Sequence, residues 1–209
     1  MIDFITTDES HFHFDEFRRE IIDYYGAEKN VVIPSRIDGM EVVSIGPDAF
    51  WNKGLTSLVL PPTLSVIGFY AFAFNQLKDV RILENVALIE DGAFMHNKLE
   101  SLKIGKNLFT IPHAAFCHNN LSKLVLPENA QDIQSDAFGS NPLTEIVFEG
   151  APTFIHRHAF NLGTEEMTHV QVGGPQASNL RSLLDHHAKH IDNFRLLSER
   201  DQTLLDLYY

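Results

Sequence analysis

Six of the eleven histidines fall between residues 156 and 190, and the run Asp185-His186-His187-Ala188-Lys189-His190 sets His186 and His190 four residues apart. On a helix that spacing puts both imidazoles on one face, able to chelate Zn²⁺ or Ni²⁺ if Asp192 came round as a third ligand. The same face would serve as the polar exterior of a covering helix. Two ligands without a defined third make no site, so no metal and no cofactor is assigned. His96 and His118 stand 22 residues apart and both follow a Phe by two. They read as exposed turn residues stacked beside Phe74, whose mutual repulsion would respond to pH. Cys117 is the only cysteine. It excludes an internal disulfide, and with no base or orienting partner assignable it reads as a small packed hydrophobe rather than a nucleophile. No Gly-x-Ser-x-Gly, His-Glu-x-x-His, phosphate-loop or dinucleotide fingerprint occurs. Nothing here points to an enzyme.

The elements that would carry these residues are set by a repeat. Ala-Phe pairs stand at 49–50, 71–72, 93–94, 115–116, 137–138 and 159–160, each 22 residues from the next. Five residues before each Phe is an Ile, at 45, 67, 89, 111, 133 and 155, and five after the first five is a Leu, at 55, 77, 99, 121 and 143. Apolar pairs follow with period two: Leu58 and Leu60, Val80 and Ile82, Leu102 and Ile104, Leu124 and Leu126, Ile146 and Phe148. That alternation is a short strand with one buried face, and Leu60-Pro61 and Leu126-Pro127 end it by removing a ladder donor. One such strand per unit predicts parallel stacking of like strands about 4.8 Å apart, with the return arc of each coil carrying Ile and Phe inward. Asn75, Asn97, Asn119 and Asn141 form a further column, interrupted at its two ends by Lys53 and Gly163. A buried amide both donates and accepts, so this column is expected to satisfy backbone groups at the turn between arc and strand.

Both ends depart from the repeat, as the covers of an open solenoid should. Residues 30–50 read as a first coil enlarged by five residues, and the preceding run 17–26 supplies an alternating edge segment. After a strand over 167–172, Gly173-Gly174-Pro175 breaks the pattern, and Leu180, Leu183, Leu184 and Ala188 fall at helical spacing. With a Ser-x-x-Asp cap at 198–201, a helical C-terminal cover is expected. The chain therefore divides into an N-terminal cap over 1–27, a solenoid of six 22-residue units over 28–174, and a C-terminal cap over 175–209.

The columns Leu-x-x-Leu-x-Leu-Pro, the Ile-Gly steps at 45–46 and 67–68, and Ala-Phe-x-x-Asn resemble the bacterial BspA-like class of leucine-rich repeats over roughly residues 28–173. The resemblance implies an α/β right-handed solenoid with short parallel strands on a concave face, irregular or 3-10 convex arcs, and a helical C-terminal cap. It also implies binding without catalysis, many relatives being surface proteins linked to adhesion. Many relatives use a 23-residue unit with Cys in the Asn column, a difference of coil closure.

On such a scaffold the strand positions between the buried residues point outward. One row is Ser57, Asp79, Ser101, Lys123, Glu145 and His169; the next is Val59, Arg81, Lys103, Val125, Val147 and Gln171. Inner columns repeat and outer rows differ, which makes a distinctive recognition surface. Arg81 and Lys103 should be lateral neighbours at about 5 Å, a cationic spot suited to an anionic group on a partner, unless Asp79 already neutralises it. Val125 and Val147, framed by Lys123, Glu145 and Glu149, are expected as an exposed apolar centre with a polar rim.

Composition bounds the partner. An excess of 28 acidic over 16 basic residues gives a formal charge of −12, which opposes nucleic acid and anionic membranes. No stretch approaches the roughly 18 apolar residues of a membrane span, and the opening residues 1–17 have neither a basic start nor an apolar run of leader length. The expectation is a cytoplasmic monomer that binds a protein or peptide on its concave face, with a cell-surface adhesin, or a metal-binding protein using the C-terminal histidines, as alternatives.

Overall fold

A computed structural model describes residues 6–156, 158–160, 169–172 and 194–196. Its first part is local. A 3-10 turn, Glu9–His11, leads into an antiparallel hairpin of β1 (Phe12–Asp15) and β2 (Glu20–Tyr24). There follow β3 (Asn30–Val32), a small hairpin of β4 (Arg36–Ile37) and β5 (Met40–Glu41), and β6 (Ser44–Ile45).

Each of the next five coils contributes one longer and one two-residue strand, and two longer strands follow. In chain order these are β7 (Ser57–Val59) and β8 (Val66–Ile67), β9 (Asp79–Arg81) and β10 (Leu88–Ile89), β11 (Ser101–Lys103) and β12 (Thr110–Ile111). Next come β13 (Lys123–Leu126) and β14 (Asp132–Ile133), β15 (Glu145–Phe148) and β16 (Phe154–Ile155), then β17 (His169–Val172) and β18 (Phe194–Leu196). Like pairs with like, in parallel, at an offset of one coil: β9 with β11, β13 with β15, β15 with β17, β6 with β8, β12 with β14. The result is a β-solenoid of about six turns.

The interior follows from the columns. Phe50, Phe72, Phe94, Phe116 and Phe138 are fully enclosed, each stacked on the next with ring centroids 5.0 to 5.5 Å apart. Phe160 continues the column at 5.9 Å. Such offset stacking adds to the burial of each ring. At the front, Tyr24 stacks on Phe50 at 5.3 Å and Phe12 packs on Tyr24 at 5.3 Å with the rings tilted by 43°, so the hairpin covers the first coil with aromatic rings of its own.

Asn75, Asn97, Asn119 and Asn141 are buried and bridge coils as expected. Asn119 accepts from the Leu99 N–H of the preceding coil at 3.0 Å and donates to the carbonyls of Phe94 at 3.1 Å and Phe116 at 3.0 Å. Asn141 does the same one coil on, taking the Leu121 N–H at 3.1 Å.

Two features differ from expectation. The return arc is not wholly irregular: the Ile column sits on β6, β8, β10, β12, β14 and β16, a second row of parallel strands too short to carry a visible alternation. The longer strands do not form one continuous ladder, bridging instead as β3–β7, β9–β11 and β13–β15–β17–β18. Across the two breaks the coils stay joined at the Asn turn, where Gln76 donates to Leu55 at 2.8 Å and Asn120 to Leu99 at 2.9 Å. The expected helical cover over 175–209 lies outside the described residues, which in that span are only Phe194–Leu196, a strand parallel to β17.

Candidate partner-binding surface

Strand alternation positions the expected surface. On β9 and β11 the central residues Val80 and Leu102 face the core while Asp79, Arg81, Ser101 and Lys103 are exposed. The register sets Lys103 directly beside Arg81 and Ser101 beside Asp79. The two cations are therefore neighbours across one ladder step, where like charges repel by a few tenths of a kcal/mol in solvent. Lys123 and Glu145 are also in register and form an ion pair: Nζ lies 3.2 Å from the carboxylate, with the side chains 49% and 30% exposed. An ion pair that open contributes little to stability and leaves little net charge for a partner.

Val125 is half-buried, and Val147 is not exposed at all, at 1%. The expected apolar centre is corrected accordingly. Val147 sits on an interior strand of the four-stranded ladder β13–β15–β17–β18, in register with Val125 on one side and Gln171 on the other. The surface thus brings Arg81 and Lys103 together, pairs Lys123 with Glu145, and leaves Val125 partly accessible, with Val59 of the same outward row 37% exposed.

The residues with possible covalent or metal chemistry come out differently. Cys117 is buried, and enclosure, with Asp136 nearby, pushes its thiol up to about 11, so little thiolate exists at neutral pH. His96 and His118 stack at 4.2 Å with their planes 6° apart, and Phe74 stacks on His96 at 4.6 Å. Trp51 extends that row edge-on to Phe74 at 5.9 Å. Burial, then the neighbouring His118, holds the His96 imidazole below its usual value. Among the described residues no group of three or more His, Cys, Asp or Glu is placed to hold a metal ion; His186, His190 and Asp192 lie outside them. No described helix is long and apolar enough to cross a membrane.

A family model for the BspA type leucine rich repeat region matches residues 43–164, in six copies. The chain belongs to the BspA-type leucine-rich-repeat family. Among solved structures, a T. pallidum leucine-rich-repeat protein superposes with a TM-score of 0.64 at 19% identity, covering 98% of this chain and 97% of that one. A leucine-rich-repeat protein from Bacteroides ovatus gives 0.48 at 17% identity, covering 86% of this chain and 58% of that one. A leucine-rich cell surface protein from Faecalibacterium prausnitzii gives 0.46 at 17%, covering 90% and 72%. Among curated proteins none matches the chain. At these identities the likeness is one of fold: a bacterial-type leucine-rich-repeat solenoid.

Against this BspA-type scaffold one surface feature escapes the sequence reading. On the row of two-residue strands, opposite in the coil to the leucine strands, a groove of about 550 Å³ runs across β12, β14 and β16 between Phe109 and Phe154. These rings are 57% and 49% exposed. The available signal was a broken column. Phe109 shares its position in the repeat with Val43, Ser65, Ala87, Gln131 and Thr153, so the coil does not require a ring there.

Proposed function

We propose that this BspA-type module is a non-enzymatic binder of a protein or peptide, engaging it through the outward rows of its leucine-strand face. Arg81 and Lys103 receive an anionic group of the partner, Val125 gives an adjoining apolar contact, and the Lys123–Glu145 pair forms part of the polar rim. The observation that carries this reading is the in-register placement of Arg81 beside Lys103 on an exposed face of a chain with formal charge −12. An acidic protein that sets two cations on adjacent strands gains from an anion between them, and complementary charge raises association rate and selectivity more than raw affinity. The surface is built on parallel strands hydrogen-bonded coil to coil, so binding needs little ordering of the module itself.

The absence of catalysis belongs to the same proposal. It is supported by a thiol held protonated in the core and by membership in a family of repeat proteins. The module acts as a monomer, with no nucleic-acid partner.

The test is affinity capture from the native cell with the full chain and with the double variant Arg81→Ser, Lys103→Ser. The expected result is a protein retained by the unaltered chain, lost at least tenfold with the variant, and released by moderate salt. Equal retention by both would remove Arg81 and Lys103 from the contact.

A further inference from the structure

The groove across β12, β14 and β16 lies on the other sheet from Arg81 and Lys103, and its side chains specify a different kind of ligand. Its walls are Phe109 and Phe154, both about half exposed. Asp132 and Gln134, on the coil between those of the two rings, line it together with His113, His156 and the Ser135 and Thr153 hydroxyls. Asp132 is in register with Thr110 on one side and Phe154 on the other, so the groove spans three coils. At about 4.8 Å per coil, that is about 10 Å from β12 to β16.

We infer that this groove is a binding site for a neutral oligosaccharide, with two or three sugar units laid across the coils. Three observations select that ligand class. First, the lining named above contains no Lys or Arg and one carboxylate, which the Gln134 amide approaches at 3.4 Å. With Asp132 in it and no permanent cation, such a floor favours a neutral ligand over nucleotides, phosphorylated groups and acidic glycans. Second, the remaining polar groups both donate and accept: amide, imidazole and hydroxyl. Ser135 and Thr153 already donate to Asp136 and to the Gln131 carbonyl, and His113 Nδ1 meets the Ser135 carbonyl; the hydroxyl lone pairs and the imidazole Nε2 atoms that remain suit sugar hydroxyls, which have the same dual character. Third, two aromatic rings flank the polar floor. The C–H face of a pyranose packs on an aromatic face, gaining apolar burial and weak C–H contacts while its hydroxyls reach the floor.

The repeat itself does not call for these rings. At the positions of Phe154 in the other coils stand Ser44, Val66, Leu88, Thr110 and Asp132. The coil tolerates polar, β-branched and aliphatic residues there alike. Paired exposed rings at the two ends of one groove are therefore a surface property rather than a packing requirement.

The experiment is a titration of the full chain, followed by amide chemical shifts and by calorimetry, with cellotriose, maltotriose, N,N′,N″-triacetylchitotriose and, as an acidic counterpart, trigalacturonate. At least one neutral trisaccharide is expected to bind, and the double variant Phe109→Ala, Phe154→Ala to weaken it by tenfold or more. Trp51→Ala, an exposed aromatic outside the groove, and Arg81→Ser with Lys103→Ser should bind as the unaltered chain does. Because Phe109 and Phe154 are about half exposed, their replacement leaves the melting temperature within a few degrees, and a cooperative melt verifies this. The inference is overturned if no neutral trisaccharide binds, if trigalacturonate binds more tightly than the neutral ones, or if Trp51→Ala costs as much as the groove variant.

Discussion

Asn119 shows how much one side chain can hold. It takes the Leu99 N–H and gives its amide protons to the Phe94, Phe116 and Cys117 carbonyls, all inside the core and away from water. Replacement by Ala leaves these backbone groups without partners, and Asn119→Ala is expected to cost about 3 kcal/mol, read as a shift in the denaturant midpoint. A residue two places after Phe raises a different matter. His96 is partly buried and faces His118, and both effects favour its neutral form in the folded chain. Its folded value lies below the unfolded one, near 6.5. As pH falls through about 6.5 the unfolded chain takes up that proton first, so stability declines, and the decline ends once the folded value is passed. Phe74 shows that the position accepts an aromatic hydrocarbon with φ of 58°, against 53° at His96. His96→Phe should therefore stack on Phe74 and lose less stability than the unaltered chain between pH 7.5 and pH 5, measured as the difference in midpoints.

At the scale of the element, the arc is bought with backbone strain. Two residues per coil adopt positive φ, among them Tyr70, Ala114 and Asp136 before the Phe, and Phe74, His96 and His118 after it. For residues with a Cβ each such conformation costs about 1 kcal/mol or more. The cost is offset by inter-coil bonds that only this shape permits. Phe72 donates to Ala93, Phe94 to Ala115 and Phe116 to Ala137, all at 2.8 Å. The other constraint is proximity. A Cβ on Gly105, just after β11, would lie 2.6 Å from the Leu83 carbonyl oxygen and 2.9 Å from the Glu84 Cα of the coil before. Both obstacles are backbone and cannot swing aside. Gly105→Ala is expected to lower stability by about 1–3 kcal/mol and to weaken amide protection in the coils on either side, which hydrogen exchange would locate.

For the whole molecule, stability is a sum over coils and their contacts, so the coil is the natural unit of change. Removing residues 88–109, one full unit, joins Ala87 to Thr110 and carries each remaining column straight on: Asn75 meets Asn119 and Phe72 meets Phe116. That shortened chain should keep a β-type circular dichroism spectrum and a cooperative melt at lower temperature. Removing only residues 88–98, half a unit, sets Leu99 where an outward strand position belongs and displaces every later column. This second deletion should abolish the cooperative melt.

What residue order alone determined is the solenoid: its period, the Phe, Ile and Leu columns of the core, the Asn bridges, and the pairing of Arg81 with Lys103. These follow from spacing, because parallel stacking at a fixed period turns a sequence column into a column of neighbours in space. The two-residue strands were beyond such reading, since alternation needs more than two positions to show, and so was the aromatic cover that Phe12 and Tyr24 supply from a hairpin outside the repeat. Val147 was read as exposed because alternation says only which way a side chain points. Whether that side is covered depends on the neighbouring strands, as does the meeting of Phe109 and Phe154 across three coils, and those are settled by packing in three dimensions.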